Sequence, residues 1–225
     1  MTDSPSTPQA LIVGVGPGLG LSLARKFGNE GFALTIAGRS EQKLAEFATQ
    51  LRSEGLRVDT AIADAADPKG FQASLQELAG KITPSVVVYN AAIVASDNIL
   101  TSDIDYLITN YNIDALGAII AAQVFTPAMR HAGTGTFLTS GGYAYIDPYP
   151  AYATIALGKG GLRVATVLIH KELKDEGVHV ASVTIAGGIE PGTAMAPELI
   201  ADTFWELHTQ PADEWTAETV FDGTK

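Results

Sequence analysis

Along this chain, short unbroken apolar runs alternate with longer stretches in which apolar residues recur at helical spacing. Val58–Ala63, which holds Asp59 and Thr60, is a further strand candidate of the first half, whose apolar runs are Ala10–Val13, Phe32–Ala37 and Val86–Tyr89. Because they do not alternate with polar residues, they suit strands covered on both faces, as in a parallel sheet. Between them, Leu21–Gly28, Glu41–Glu54 and Lys69–Ala79 read as amphipathic helices, and Gly55 supplies a stop for the second. The second half repeats the pattern, with long helices over Ile104–His131 and Thr154–Glu176 and strands over Gly135–Thr139 and Val178–Ile185. Strand–helix alternation of this kind demands right-handed crossovers. The predicted fold class is therefore α/β, a doubly wound parallel sheet with helices on both faces. It forms a single domain over residues 10–225, preceded by a flexible leader over residues 1–9. The tail Pro197–Lys225 reads as a terminal helix plus a loop, with Trp205, His208 and Trp215 packed on the body.

Composition narrows the chemistry. With 225 residues the chain can bury a sizeable core as one domain. A net charge of −11 argues against a nucleic-acid partner, which needs clustered Lys and Arg. Cysteine is absent, so disulfides and thiolate metal sites are excluded. His131, His170, His179 and His208 are scattered without ligand spacing, and no metal is expected. The N-terminus has neither a basic nor an apolar signal region, and the apolar stretch around Ala115–Phe125 is too short to span a bilayer and is interrupted by Gln123. The expectation is a cytoplasmic protein with no membrane association.

The most informative segment is Gly14-Val15-Gly16-Pro17-Gly18-Leu19-Gly20, between the first strand and the first helix. Backbone N–H groups at a helix start donate to a pyrophosphate, and glycines let the phosphates approach. Gly14, Gly18 and Gly20 fit G-x-x-x-G-x-G, whereas Leu19 and Leu21 rule out G-x-G-x-x-G. Asp64 follows the third strand, Asn90-Ala91-Ala92 the fourth, and Lys159-Gly160-Gly161-Leu162-Arg163 lies on the helix after the fifth. In this order they resemble the short-chain dehydrogenase/reductase family over most of the chain. That resemblance implies a Rossmann-like fold and a nicotinamide dinucleotide. It places Gly14, Gly16, Pro17, Gly18, Leu19 and Gly20 at the pyrophosphate, Asp64 and Ala65 beside the adenine, and Asn90, Ala91 and Ala92 along the ribose path. It also implies that Lys159 holds the ribose hydroxyls and that Gly187 lies at the nicotinamide carboxamide. Cofactor choice is read at the end of the second strand, where a carboxylate would bind the 2′-hydroxyl of NAD(H). Here the residues are Arg39 and Ser40, donors suited to a 2′-phosphate, so NADP(H) is expected.

The catalytic pattern departs from the family's. There, a Tyr four residues before the Lys exchanges a proton with the substrate oxygen, a Ser polarises that oxygen, and an Asn supports a water chain to the Lys. Four residues before Lys159 stands Ile155, which transfers no proton. The Ser position falls on Gly142, two residues after Ser140, and the Asn position on Asp114. Tyr152 lies seven residues before Lys159, which restores nearly the same helix face at about 10 Å along the axis instead of about 6 Å. Tyr143, Tyr145 and Tyr149 are equal candidates. The Ser140-Gly141-Gly142 segment reads as a turn that presents the Ser140 hydroxyl or backbone N–H groups to a carbonyl oxygen. Catalytic candidates are accordingly Ser140, Tyr152 and Lys159.

The expected function is an NADP(H)-dependent oxidoreductase acting on a small carbonyl or alcohol. A second reading is a dinucleotide-binding sensor or assembly protein that has lost the chemistry, supported by Ile155. A third, a cofactor-free enzyme such as a dehalogenase, is weakened by the intact glycine loop. Apolar residues on both sides of Ile104–His131 and Thr154–Glu176 predict a homodimer or homotetramer through paired helices.

Overall fold

Each apolar run becomes a strand. In the computed structural model, which describes residues 7–224, the elements in chain order are β1 (Gln9–Val13), α1 (Leu19–Asn29), β2 (Ala33–Gly38), α2 (Glu41–Ser53), β3 (Val58–Ile62), α3 (Pro68–Ala79), β4 (Val86–Tyr89), α4 (Ile104–Tyr111), α5 (Gly117–Ala132), β5 (Gly135–Gly142), α6 (Ala153–Leu173), β6 (Val178–Ile185), α7 (Pro197–Thr209) and β7 (Glu218–Phe221). All pairings are parallel, in the order β3-β2-β1-β4-β5-β6-β7. Two apolar layers enclose the sheet. One, with Phe27, Leu51 and Phe204, lies under α1, α2 and α7; the other, with Phe71, Phe125 and Leu162, lies under α3, α5 and α6. Strand order reverses between β1 and β4, whose ends Val13 and Tyr89 pair. A crevice opens beyond the carboxyl ends of strands at such a point, and ligands of open α/β sheets bind there.

The structure revises four boundaries. Gln9, expected in the leader over residues 1–9, already belongs to β1, and the first six residues of that segment lie outside those described. The helix predicted as continuous over Ile104–His131 is broken by a π turn at Asn112–Leu116, a wider coil that inserts a residue and commonly marks a functional site. Ser140-Gly141-Gly142 is not a turn. These residues extend β5 and pair with Val183, Thr184 and Ile185, because small side chains there fit against β6. The tail contains a strand as well as a helix: β7 pairs with Ser182–Ile185. Four residues with Glu218 and Thr219 among them carry too weak an apolar signal to be read alone.

Two helical runs, Ile104–Ala132 and Pro150–Glu176, have the length and hydropathy of a membrane span, which the shorter apolar stretch considered in the sequence did not suggest. Both lie over the sheet with one face in the core, Phe125 and Met129 from the first and Leu162 and Leu173 from the second. The tail aromatics pack as expected. Trp205 and His208 meet Phe27 and Phe32, and Trp215 stacks on His179 at 4.8 Å.

Candidate active site

The glycine loop is shaped by its neighbours. Gly14 has φ of +87°, and a Cβ there would collide with the backbone of Ala91, so the β1 and β4 ends meet only because this residue is glycine. Gly14 N–H donates to Ala37 O at 2.8 Å, and Asn90 Nδ2 donates to Gly14 O at 2.9 Å. These bonds hold the loop open at the crevice. Helix α1 starts at Leu19 with no side-chain cap and no acidic residue in its first turn. Leu21 and Ser22 N–H donate to Gly16 O at 3.1 Å and Gly18 O at 3.2 Å, so the N–H groups of Leu19 and Gly20 are the ones left to present a positive helix end to the groove.

A hollow of about 320 Å³ runs from Arg39, Asp64, Ala65 and Phe71 past Gly14, Gly16, Gly18, Leu19 and Gly20 to Asn90, Ala91 and Ala92. A second cleft of about 830 Å³ continues from it, sharing Leu19, Asn90 and Ala92, and is lined by Ser140, Tyr152, Lys159 and Gly187 among others. The sequence-predicted residues are therefore brought to one continuous groove, with two exceptions. Pro17 lies in the loop but does not line the groove. Ser40 does not line the groove either; its Oγ accepts from Lys43 N–H at 3.4 Å as the cap of α2, which leaves its O–H as a donor beside Arg39. Asp64, which lines the hollow, accepts from Ala66 N–H through Oδ1 at 3.0 Å, and this bond fixes the turn after β3.

Lys159 is buried on the inner face of α6, and its Nζ donates to Ser140 O at 2.6 Å. Burial lowers its pKa to about 8, against the opposing pull of the Asp114 charge. Asp114 is the wide turn's inward residue. Its Oδ1 accepts from Ile93 N–H at 2.8 Å, while Oδ2 is buried without a hydrogen-bond partner among the described residues. Burial raises its pKa to about 6, only partly countered by that N–H and by Lys159. The close seat depends on Gly158, where a Cβ would strike the Asp114 side chain. An acidic group thus stands behind Lys159 where the resembling family carries an amide.

The four candidate tyrosines separate. Tyr145 turns away, donating to Glu218 Oε1 at 2.8 Å under the Arg163 guanidinium. Tyr143, Tyr149 and Tyr152 all border the larger cleft. Tyr152 closes a 3₁₀ turn, Pro150–Tyr152, and α6 starts after it, so its ring is not bound to the helix face that carries Lys159. Ile155 lines the cleft where the family's proton donor would stand.

Sequence reasoning missed several wall residues. Phe71, Ile93 and Ile113 close the smaller hollow, and Val94, Asp147 and Ile189 the larger. It also missed Asp97, whose Oδ1 accepts from Ala153 N–H at 2.6 Å and caps α6 from 56 positions upstream. No local pattern reveals a cap supplied across so long a separation.

Comparison with known proteins is consistent with this geometry. The short chain dehydrogenase family profile matches residues 8–203. The chain is 30% identical over 176 residues to a very-long-chain 3-oxoacyl-CoA reductase of Neurospora crassa, covering 76% of this chain but only 53% of that protein, about half its length. It is 29% identical to sulfoacetaldehyde reductase 2 of Chromohalobacter salexigens, over 77% of this chain and 69% of the other. A metagenomic short-chain oxidoreductase crystallised with NADP shares the fold at a TM-score of 0.84 and 21% identity, covering 96% of this chain and 98% of that one.

Proposed function

The chain belongs to the short-chain dehydrogenase family, and from that premise we propose that it is an NADP(H)-dependent oxidoreductase interconverting a carbonyl and an alcohol. The observation that carries this reading is the continuous groove from Arg39 to Lys159, which matches in order the parts of a dinucleotide. The uncapped first turn of α1 would hold the pyrophosphate, and Arg39, exposed at the outer end, would take a 2′-phosphate. The fold neighbour crystallised with NADP supports the same choice.

When bound, the nicotinamide supplies the redox partner: a carbonyl gains hydride at carbon and a proton at oxygen as the reduced coenzyme becomes oxidised. Lys159 would hold the ribose hydroxyls and lend positive charge to the floor of the cleft. Ser140, buried at the cleft wall with no hydrogen bond from its hydroxyl among the described residues, is placed to donate to that oxygen. Tyr152 is the proton donor on this reading, carried by a turn instead of by the helix. The exposed apolar stripe Leu157, Val164 and Leu168 on α6, with Ile104 and Ile108 on α4, supports assembly as a homo-oligomer.

Ile155 favours one alternative, a dinucleotide-binding protein without turnover. A screen of carbonyl compounds with NADPH, run beside a fluorescence titration of NADPH, separates the two. Turnover that falls at least about tenfold in Tyr152→Phe supports the enzyme reading with Tyr152 as donor. Undiminished turnover in that variant removes Tyr152 from the mechanism, and binding with no turnover of any carbonyl favours the alternative.

A further inference from the structure

The far half of the larger cleft has a chemistry of its own. Beyond Ser140 and Lys159 its walls are apolar and aromatic, and its volume of about 830 Å³ leaves room for more than a nicotinamide ring. Val94 is 73% exposed, Tyr149 66% and Tyr152 40%, so large apolar surfaces face the opening. The rings of Tyr149 and Tyr152 lie 6.2 Å apart, tilted by 35°. That spacing is too narrow for a third ring between them, but it offers an aromatic face and edge to a flat group beside them. Neither hydroxyl is engaged by another described residue, in contrast to Tyr145, which Glu218 holds.

The charges are equally telling. Among the residues lining this cleft only Lys159 and Asp147 are charged. Lys159 is buried at the floor and tied to Ser140 O, so it offers nothing to an anion at the mouth. Asp147 is exposed there and forms no ion pair among the described residues. Arg163, a nearby cation on α6, is committed to Glu218 at 2.9 Å. A carboxylate or sulfonate held at the mouth of the cleft would therefore find no Arg or Lys fork and would meet the Asp147 carboxylate instead.

Resting on the oxidoreductase reading, we propose that the substrate is an uncharged aryl or similarly flat apolar carbonyl compound, or its alcohol, seated against Tyr149 and Tyr152, with Asp147 discriminating against anions. The cleft thus differs in substrate class from what the name of the Chromohalobacter relative, a sulfoacetaldehyde reductase, implies for that protein.

The test compares NADPH oxidation by the full chain with 4-methylacetophenone, 4-acetylbenzoate and sulfoacetaldehyde. The neutral ketone is expected to exceed both anions in kcat/KM by about tenfold or more, the size of one well-placed charge effect. Asp147→Asn is expected to narrow that ratio by lowering KM for 4-acetylbenzoate, with little change in its kcat. Tyr149→Ala is expected to raise KM for the neutral ketone by about 2- to 10-fold, the range of one aromatic contact, while NADPH titration of each variant verifies that it is folded. Either anion turned over as well as the neutral ketone overturns the inference. If none of the three is turned over, saturation-transfer NMR on the enzyme with NADP⁺ decides. Contact with the aryl ring of 4-methylacetophenone that is lost in Tyr149→Ala sustains the ligand class and removes the oxidoreductase reading; absence of such contact overturns the inference.

Discussion

Gly14 shows how much of the site rests on one residue. A side chain there is disfavoured twice, by a φ of +87° and by the Ala91 backbone. Gly14→Ala is expected to destabilise the fold by at least about 2 kcal/mol, the order of a strained backbone substitution, and to abolish NADPH binding. Chemical denaturation and a coenzyme titration check the two effects separately. Lys159 makes a second prediction at this scale. Its pKa falls from the ordinary 10.5 to about 8 on folding, chiefly through burial. Between those values the unfolded chain binds more protons than the native one, so stability gains from this residue as pH rises from 8 to 10.5. Denaturation curves across that window are expected to show the rise in the wild type and to lose it in Lys159→Met. The placement of Asn90 and Lys159 at the groove was legible from motif spacing, and that of Arg39 from its position at the end of the second strand. Asp114 was legible only as an alignment position, because neither its burial nor its partnerless Oδ2 is encoded in neighbouring residues.

Among the elements, strands and helices of the first half follow the apolar pattern closely, since each is buried on a face that local periodicity describes. The misses share one cause: they depend on contacts distant in sequence. The π turn answers to Ile93 and Gly158, the extension of β5 to β6, and β7 to a polar cluster in which Glu218 accepts from Thr184, Tyr145 and Arg163. His179 is a further tie of this kind. Its two ring nitrogens lie 2.9 Å from Leu207 O and 3.0 Å from Thr216 O, joining the end of α7 to the approach to β7. His179→Ala is expected to cost about 2–4 kcal/mol, the range for a buried side chain whose removal orphans carbonyl groups, and to raise hydrogen exchange in β7 before the rest of the sheet. His208 contributes a pH effect. Burial among Phe27, Phe32 and Trp205 lowers its pKa from 6.5 to about 4. The unfolded chain therefore binds more protons between those values, and stability from this residue is lost as pH falls from 6.5 to 4. His208→Gln is expected to flatten that part of the melting-temperature profile.

For the whole molecule, the doubly wound architecture places the β1 and β4 ends side by side, and everything assigned to the coenzyme follows from that juxtaposition. The fold class was readable because it rests on repeated alternation. The catalytic assignment was not, because Tyr143, Tyr149 and Tyr152 occupy a segment without long regular structure, where spacing says little about direction. The outer face of α4 and α6 carries the assembly prediction. Val164→Asp on the exposed stripe is expected to shift the chain to monomers in sedimentation analysis, with NADPH binding retained. The central claim is that the groove from Arg39 to Lys159 binds NADP(H), and calorimetric titration of the purified chain tests it most directly. The expected result is saturable one-site binding of NADPH, about tenfold or more tighter than NADH, with the preference lost in Arg39→Ala. No heat from either coenzyme, or equal affinity for both that Arg39→Ala leaves unchanged, would contradict it.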